Sequence, residues 1–108
     1  MIRPRPLRLA HRLAMRYSTG DGALPRGACT LDVSASGLFV RSQNVLPEGT
    51  HVLGRVDLPG GRTVEVHGVV AWNRSATRSL HEVPRGGMGV RLLWAEEPYF
   101  EFLAATAQ

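Results

Sequence analysis

The sequence predicts an all-β domain: a small antiparallel barrel of about six strands with one short C-terminal helix. Three observations predict it. Apolar and polar residues alternate with period two over several short stretches, most cleanly at Val64, Val66, Val70 and Trp72 against Thr63, Glu65 and His67. Turn chemistry separates those stretches, at Gly20-Asp21-Gly22, Pro47-Glu48-Gly49 and Pro59-Gly60-Gly61. Only the final segment changes period, where Tyr99, Phe102 and Leu103 fall on one helical face after Pro98. Many short strands joined by Gly/Pro turns and closed by one helix point to a barrel.

Residues 1–11 read as a flexible basic arm and residues 12–108 as the barrel domain. Proline alternates with arginine at the start, which removes amide donors and favours extended backbone. Arg12 to Tyr17 reads either as the end of the arm or as a first strand. A strand is then expected over Arg26–Leu31, a polar turn over Asp32–Ser36, and a strand over Leu38–Arg41. The next strand, Thr50–Leu58, should bury Val52, Val56 and Leu58. The following one, Arg62–Trp72, places Gly68 on its inward row, where a bulge or barrel corner is expected. Asn73–Gly87 reads as a long polar loop, and Met88–Trp94 as the last strand, with Met88, Val90, Leu92 and Trp94 inward. By this alternation both tryptophans belong to the core. Glu96 and Glu97 suit the positive end of the terminal helix.

A chain of 108 residues is sized for one domain. No apolar run approaches the length of a membrane span, and no secretory signal is evident, so a cytoplasmic location is expected. The single cysteine, Cys29, cannot form an internal disulfide and reads as a packing residue. His11, His51, His67 and His81 lack the spacing of metal ligands, so neither a metal nor a cofactor is expected. No nucleophile–base pair or carboxylate pair stands out, so no catalytic residue is assigned and the chain is not read as an enzyme.

All 13 basic residues are arginine. Five of them, Arg3, Arg5, Arg8, Arg12 and Arg16, fall in the first 16 residues with no acid among them. The remaining chain holds 8 arginines against 9 acids, a net of −1. A basic N-terminus on a near-neutral body indicates an anionic partner.

Two short patterns carry the chemistry. Arg12-Leu-Ala-Met-Arg16 sets two guanidinium groups four residues apart, on one side of an extended segment. Asp32-Val-Ser-Ala-Ser-Gly37 offers a carboxylate, two hydroxyls and a glycine between apolar runs. In this order they match R-x-x-x-R followed by [DN]-x-S-x-x-G, and the chain resembles the PilZ family of bacterial cyclic di-GMP receptors. Gly68-Val-Val-Ala-Trp72 and Gly87-Met-Gly-Val-Arg-Leu92 match its two late strands. The resemblance implies a cyclic di-GMP site built from Arg12, Arg16, Asp32, Ser34 and Gly37, with Arg8, His11 and Ser36 as further candidates. The residue before the first motif arginine, here His11, bears in that family on whether one nucleotide or an intercalated pair is held.

The chemistry suits that ligand. Arginine pairs with phosphate oxygens or with guanine O6 and N7, and a carboxylate accepts both donors of the guanine Watson–Crick edge. The expected mechanism is a switch, in which the segment from Met1 to about Tyr17 is mobile when empty and orders around the nucleotide, changing the surface offered to a protein partner. A monomer or weak dimer is expected. Two other readings are a nucleic-acid-binding barrel that uses the basic arm, and a PilZ-like interaction module that binds no nucleotide. Nucleic acid is the weaker partner, because no exposed aromatic residues are expected between the arginines.

Overall fold

The computed structural model describes residues 10–22, 24–42, 45–74 and 86–106. Six strands, β1 (Ala14–Ser18), β2 (Arg26–Val33), β3 (Gly37–Arg41), β4 (His51–Asp57), β5 (Thr63–Arg74) and β6 (Gly87–Ala95), precede one helix, α1 (Glu97–Thr106). All pairings are antiparallel, and the order β1-β2-β3-β6-β5-β4 closes on itself through β1 and β4. Closure leaves the sheet without an edge strand. The six-strand barrel with a terminal helix is the architecture expected from the alternation.

Inward rows build the core. Val33, Val40, Val56, Val64, Val70 and Met88 are essentially inaccessible, and Leu13, Met15 and Tyr17 join them from β1 and its approach. Burying each such side chain contributes roughly 1.5–3 kcal/mol before the entropy of ordering is counted. The segment Arg12–Tyr17 is thus a wall strand and its lead-in. The expectation of an arm mobile as far as Tyr17 is corrected for 13–17, because three core side chains anchor that stretch. Residues 1–9 lie outside the described residues.

Three bulges interrupt the alternation. Thr30 pairs with Val40 but Asp32 with Phe39, so Leu31 is an extra residue on β2. Val70 pairs with Val90 but Trp72 with Gly89, which makes Ala71 extra on β5. His67 pairs with Trp94 but Gly68 with Leu92, which makes Leu93 extra on β6. Each extra residue reverses the in–out phase beyond it. Trp72 and Trp94 are therefore 39% and 49% exposed, not core residues as strict alternation requires. The shift expected at Gly68 is present, but its additional residue is Leu93 on the facing strand.

Helix α1 closes the end of the barrel where β1 begins and β2 ends. Tyr99 and Leu103 are buried there, and Phe102 packs partly against the core. The Glu96 carboxylate accepts from the backbone N–H of Glu65 at 2.8 Å, and Glu96 N–H donates to the Glu65 carbonyl at 3.0 Å, fixing the helix start to β5. The expected loop over 73–87 is shortened at both ends, since β5 runs to Arg74 and β6 starts at Gly87; 75–85 lie outside the described residues.

Candidate functional site

Asp32 owes its position to the Leu31 bulge. Thr30 faces inward, so unbroken alternation would also turn Asp32 inward; the extra residue instead sends Val33 into the core and Asp32 to the outer face opposite Phe39. Immediately beyond, residues 34–37 form a tight turn. The Ser34 N–H donates to the Gly37 carbonyl at 2.9 Å, and the Ser34 hydroxyl oxygen accepts from the Gly37 N–H at 3.1 Å. That hydroxyl also lies 3.3 Å from the Ser36 N–H and 3.2 Å from the Gly37 carbonyl. Ser34 is 3% exposed, and its hydrogen-bonding capacity is spent on the turn, whereas Ser36 is exposed. Gly37 is required by proximity: a Cβ there would sit 2.7 Å from the Val90 carbonyl oxygen. Its backbone stays out of the positive-φ region.

The helix holds the turn from below. Tyr99 Oη donates to the Ser34 carbonyl at 2.6 Å. Burial raises the Tyr99 hydroxyl above its ordinary value of 10, and the neighbouring Asp32 charge adds to the rise. The sign follows from linkage: the unfolded chain loses its tyrosine proton first, so this contribution is fully present below about pH 10 and is lost as pH rises further. Tyr99→Phe is expected to cost about 1–2 kcal/mol at neutral pH, by leaving the Ser34 carbonyl unpaired. It should also flatten the loss of stability above about pH 10. Thermal melts of both proteins across that range check it.

The two motif arginines part company. The Leu13 carbonyl accepts from the Thr30 N–H at 2.9 Å, and the Leu13 N–H donates to Thr30 Oγ1 at 2.9 Å, which brings the preceding Arg12 to the Asp32 end of β2. Arg12 is exposed. His11 is tied down beside it, its carbonyl accepting from Thr30 Oγ1 at 2.7 Å and its ring meeting Phe102 edge-on at 5.2 Å. Arg16 instead lies opposite Gly27 on β2 and Arg55 on β4. Five positions of β2 separate Gly27 from Asp32, roughly 15 Å along the strand. Arg12 and Asp32 are thus brought to one end of the barrel, and Arg16 is not. Arg8 lies outside the described residues.

Sequence reasoning missed the outer face of β3, β6 and β5. Phe39 and Trp72 stack there with ring centroids 5.0 Å apart and planes 22° from parallel. They lie over bare backbone, since a Cβ on Gly89 would meet the Trp72 indole nitrogen at 2.0 Å and one on Gly87 the Phe39 ring at 3.1 Å. Arg91, opposite Gly37, lies on one side of the pair; Arg41 and Arg74, both opposite Gly87, lie on the other. Asp32 adjoins Phe39 in the same row. One signal was available. Leu38 and Val40 must face inward together, which turns Phe39 out, and Gly87 and Gly89 alternate as the bare floor beneath it. Among the described residues, no group of three or more His, Cys, Asp or Glu could hold a metal ion, and no helix is long and apolar enough to cross a membrane.

Comparison with known proteins agrees with this architecture. A family model described as PilZ domain matches residues 3–100. Among solved structures, the chain is similar to the inhibitor of motility MotI/DgrA of Bacillus subtilis, with a TM-score of 0.72 and 14% sequence identity; the likeness is one of fold. The match covers 94% of this chain and 47% of that one, so the chain spans about half the length of its structural relative. A search of curated proteins returns no match.

Proposed function

The chain belongs to the PilZ domain family, and from that premise we propose that it is a cyclic di-GMP receptor that relays nucleotide binding to a protein partner. The single observation that carries this reading is the outward-turned Asp32, set in one row with a stacked aromatic pair, half-buried Phe39 and exposed Trp72, and bordered by arginines. Each part of the ligand then has a counterpart. The Asp32 carboxylate accepts from N1–H and N2–H₂ of a guanine. Arg12 pairs with a phosphodiester or with guanine O6 and N7, and Arg91 adds a cation on the other side of the turn. Trp72, backed by Phe39, offers a flat surface on which a base stacks.

Ser34 and Gly37 act as builders of the turn, and Ser36 supplies the exposed hydroxyl. Two overlapping R-x-x-x-R spacings fall near the N-terminus, and Arg8–Arg12 replaces Arg12–Arg16 as the pair assigned to nucleotide, because Arg16 stands on another part of the wall. His11, packed on α1, couples the approach to β1 to the helix.

Asp32→Ala tests the role of the carboxylate. It should lower discrimination between cyclic di-GMP and cyclic di-AMP about tenfold or more while sparing most phosphate-derived affinity. Discrimination equal to that of the unmodified protein would reduce Asp32 to a turn residue.

The Phe39–Trp72 pair among arginines also favours a second reading, the binding of single-stranded nucleic acid, since such readers combine stacking surfaces with a positive track. That reading demands a steep salt dependence, with a log–log slope of roughly −2 to −4 for the several phosphates contacted. A salt-insensitive or absent shift of oligonucleotides at low ionic strength would eliminate it.

A further inference from the structure

A second feature occupies the face formed by β1, β4 and β5, whose central strand β4 stands across the barrel from β3. Arg16, Pro25, Leu53, Arg55, Glu65 and His67 line a groove of about 510 Å³ there. Its charge is unbalanced. Arg16 and Arg55 are directly opposite each other across β1 and β4, an unfavourable placement for like charges. Glu65 lies 3.4 Å from Arg55. Arg16 has no anionic partner among the described residues. The pairing of Arg55 with Glu65 is solvent-exposed and weak, and so readily exchanged for another carboxylate.

Beside these charges runs an exposed apolar row. Leu53 pairs with His67, and His67 with Trp94, whose rings are 5.1 Å apart. Leu53, Leu93 and Trp94 are 42%, 52% and 49% exposed. The Leu93 bulge is what turns Trp94 outward into this row, just as the other two bulges turn out Asp32 and Trp72. A tryptophan re-aimed from the core to solvent, packed on His67 at the side of a groove that holds two arginines against one glutamate, is the composition of a contact surface.

We propose that this groove docks an acidic segment of a protein partner, whose carboxylates meet Arg16 and Arg55 while its apolar residues cover Leu53 and Trp94. A second copy of the chain fits less well, because a two-fold contact on this patch would set the same arginines against each other. A bilayer surface fits less well too, because a concave groove favours an inserted side chain. The proposal extends the receptor reading by naming the chemistry of its partner, but it uses none of the nucleotide-site residues and stands whether or not nucleotide binds.

The test is an NMR titration of the full chain with a synthetic peptide of repeated Asp-Glu-Leu-Phe. Expected are shifts confined to Arg16, Leu53, Arg55, His67 and the Trp94 indole, and no binding by the counterpart peptide with lysine in place of both acids. Arg16→Glu should lower peptide affinity about tenfold or more. Trp94→Ala, which removes only an exposed ring, should do the same while leaving the nucleotide response intact. Absent or scattered shifts, equal binding of the lysine peptide, or preferential binding of phosphatidylglycerol vesicles or oligonucleotides at this face would overturn the proposal. Localised peptide shifts in a protein that fails to bind cyclic di-GMP would retain the docking surface and remove only the nucleotide reading.

Discussion

Gly68→Ala is expected to destabilise the barrel by about 3 kcal/mol. A Cβ at that position would lie 2.4 Å from Val90 Cγ1 and 2.7 Å from the Arg91 carbonyl oxygen. Neither neighbour yields readily: Val90 is a stiff β-branched core side chain, and the second contact is backbone. Gly68 also faces the register shift created by Leu93, so backbone movement there disturbs the β5–β6 pairing on both sides. For a domain whose net stability is on the order of 5–15 kcal/mol, the change is a large fraction of the total. Denaturant melts should show the midpoint falling with little change in slope, and thermal melts a decrease of roughly 12–24 °C. Gly60→Ala makes a useful comparison, since its cost would come from its positive φ of 94° and not from contact.

Arg12→Ala is expected to weaken cyclic di-GMP binding by about 2–3 kcal/mol, roughly 30- to 150-fold, with the melting transition nearly unchanged. Arg12 is exposed and lies before β1, so its removal takes no packing from the core. Arg16→Ala should change nucleotide affinity by less than about threefold, because its wall position leaves only a long-range, solvent-screened effect. Calorimetry on the two variants side by side separates the alternatives. Similar losses in both would return Arg16 to the nucleotide site. Loss in Arg16→Ala alone would reverse the assignment.

Much of the fold was legible because the inward rows of β4 and the first half of β5 alternate without interruption, as Val52, Val56, Val64 and Val66 do. The helix was legible for the same kind of reason, its Tyr99 and Leu103 sharing one buried face. The outer surface was much less so. A bulge adds one residue whose presence depends on pairing with another strand, and no local pattern in Val70-Ala71-Trp72 or Leu92-Leu93-Trp94 announces it. Strict alternation therefore placed both tryptophans in the core and hid the aromatic surface. Asp32 was singled out by its motif, yet the reason it faces outward is Leu31, which the motif does not include. Ser34 shows the opposite limit: its motif position is plain in the sequence, but the turn's own N–H groups take up its hydroxyl. Arg16 was grouped with Arg12 by four-residue spacing. Only the pairing of β1 with both β2 and β4 separates them.

The central claim is that the row containing Asp32, Phe39 and Trp72, with Arg12 at its end, holds cyclic di-GMP. Isothermal calorimetry of the unmodified chain tests it most directly, with cyclic di-AMP and GTP as controls. The account predicts saturable binding of cyclic di-GMP with a Kd on the order of micromolar, equivalent to about 8 kcal/mol, and at least tenfold weaker binding of both controls. No heat from cyclic di-GMP at ligand concentrations approaching about 1 mM, or equal binding of cyclic di-AMP, would contradict it.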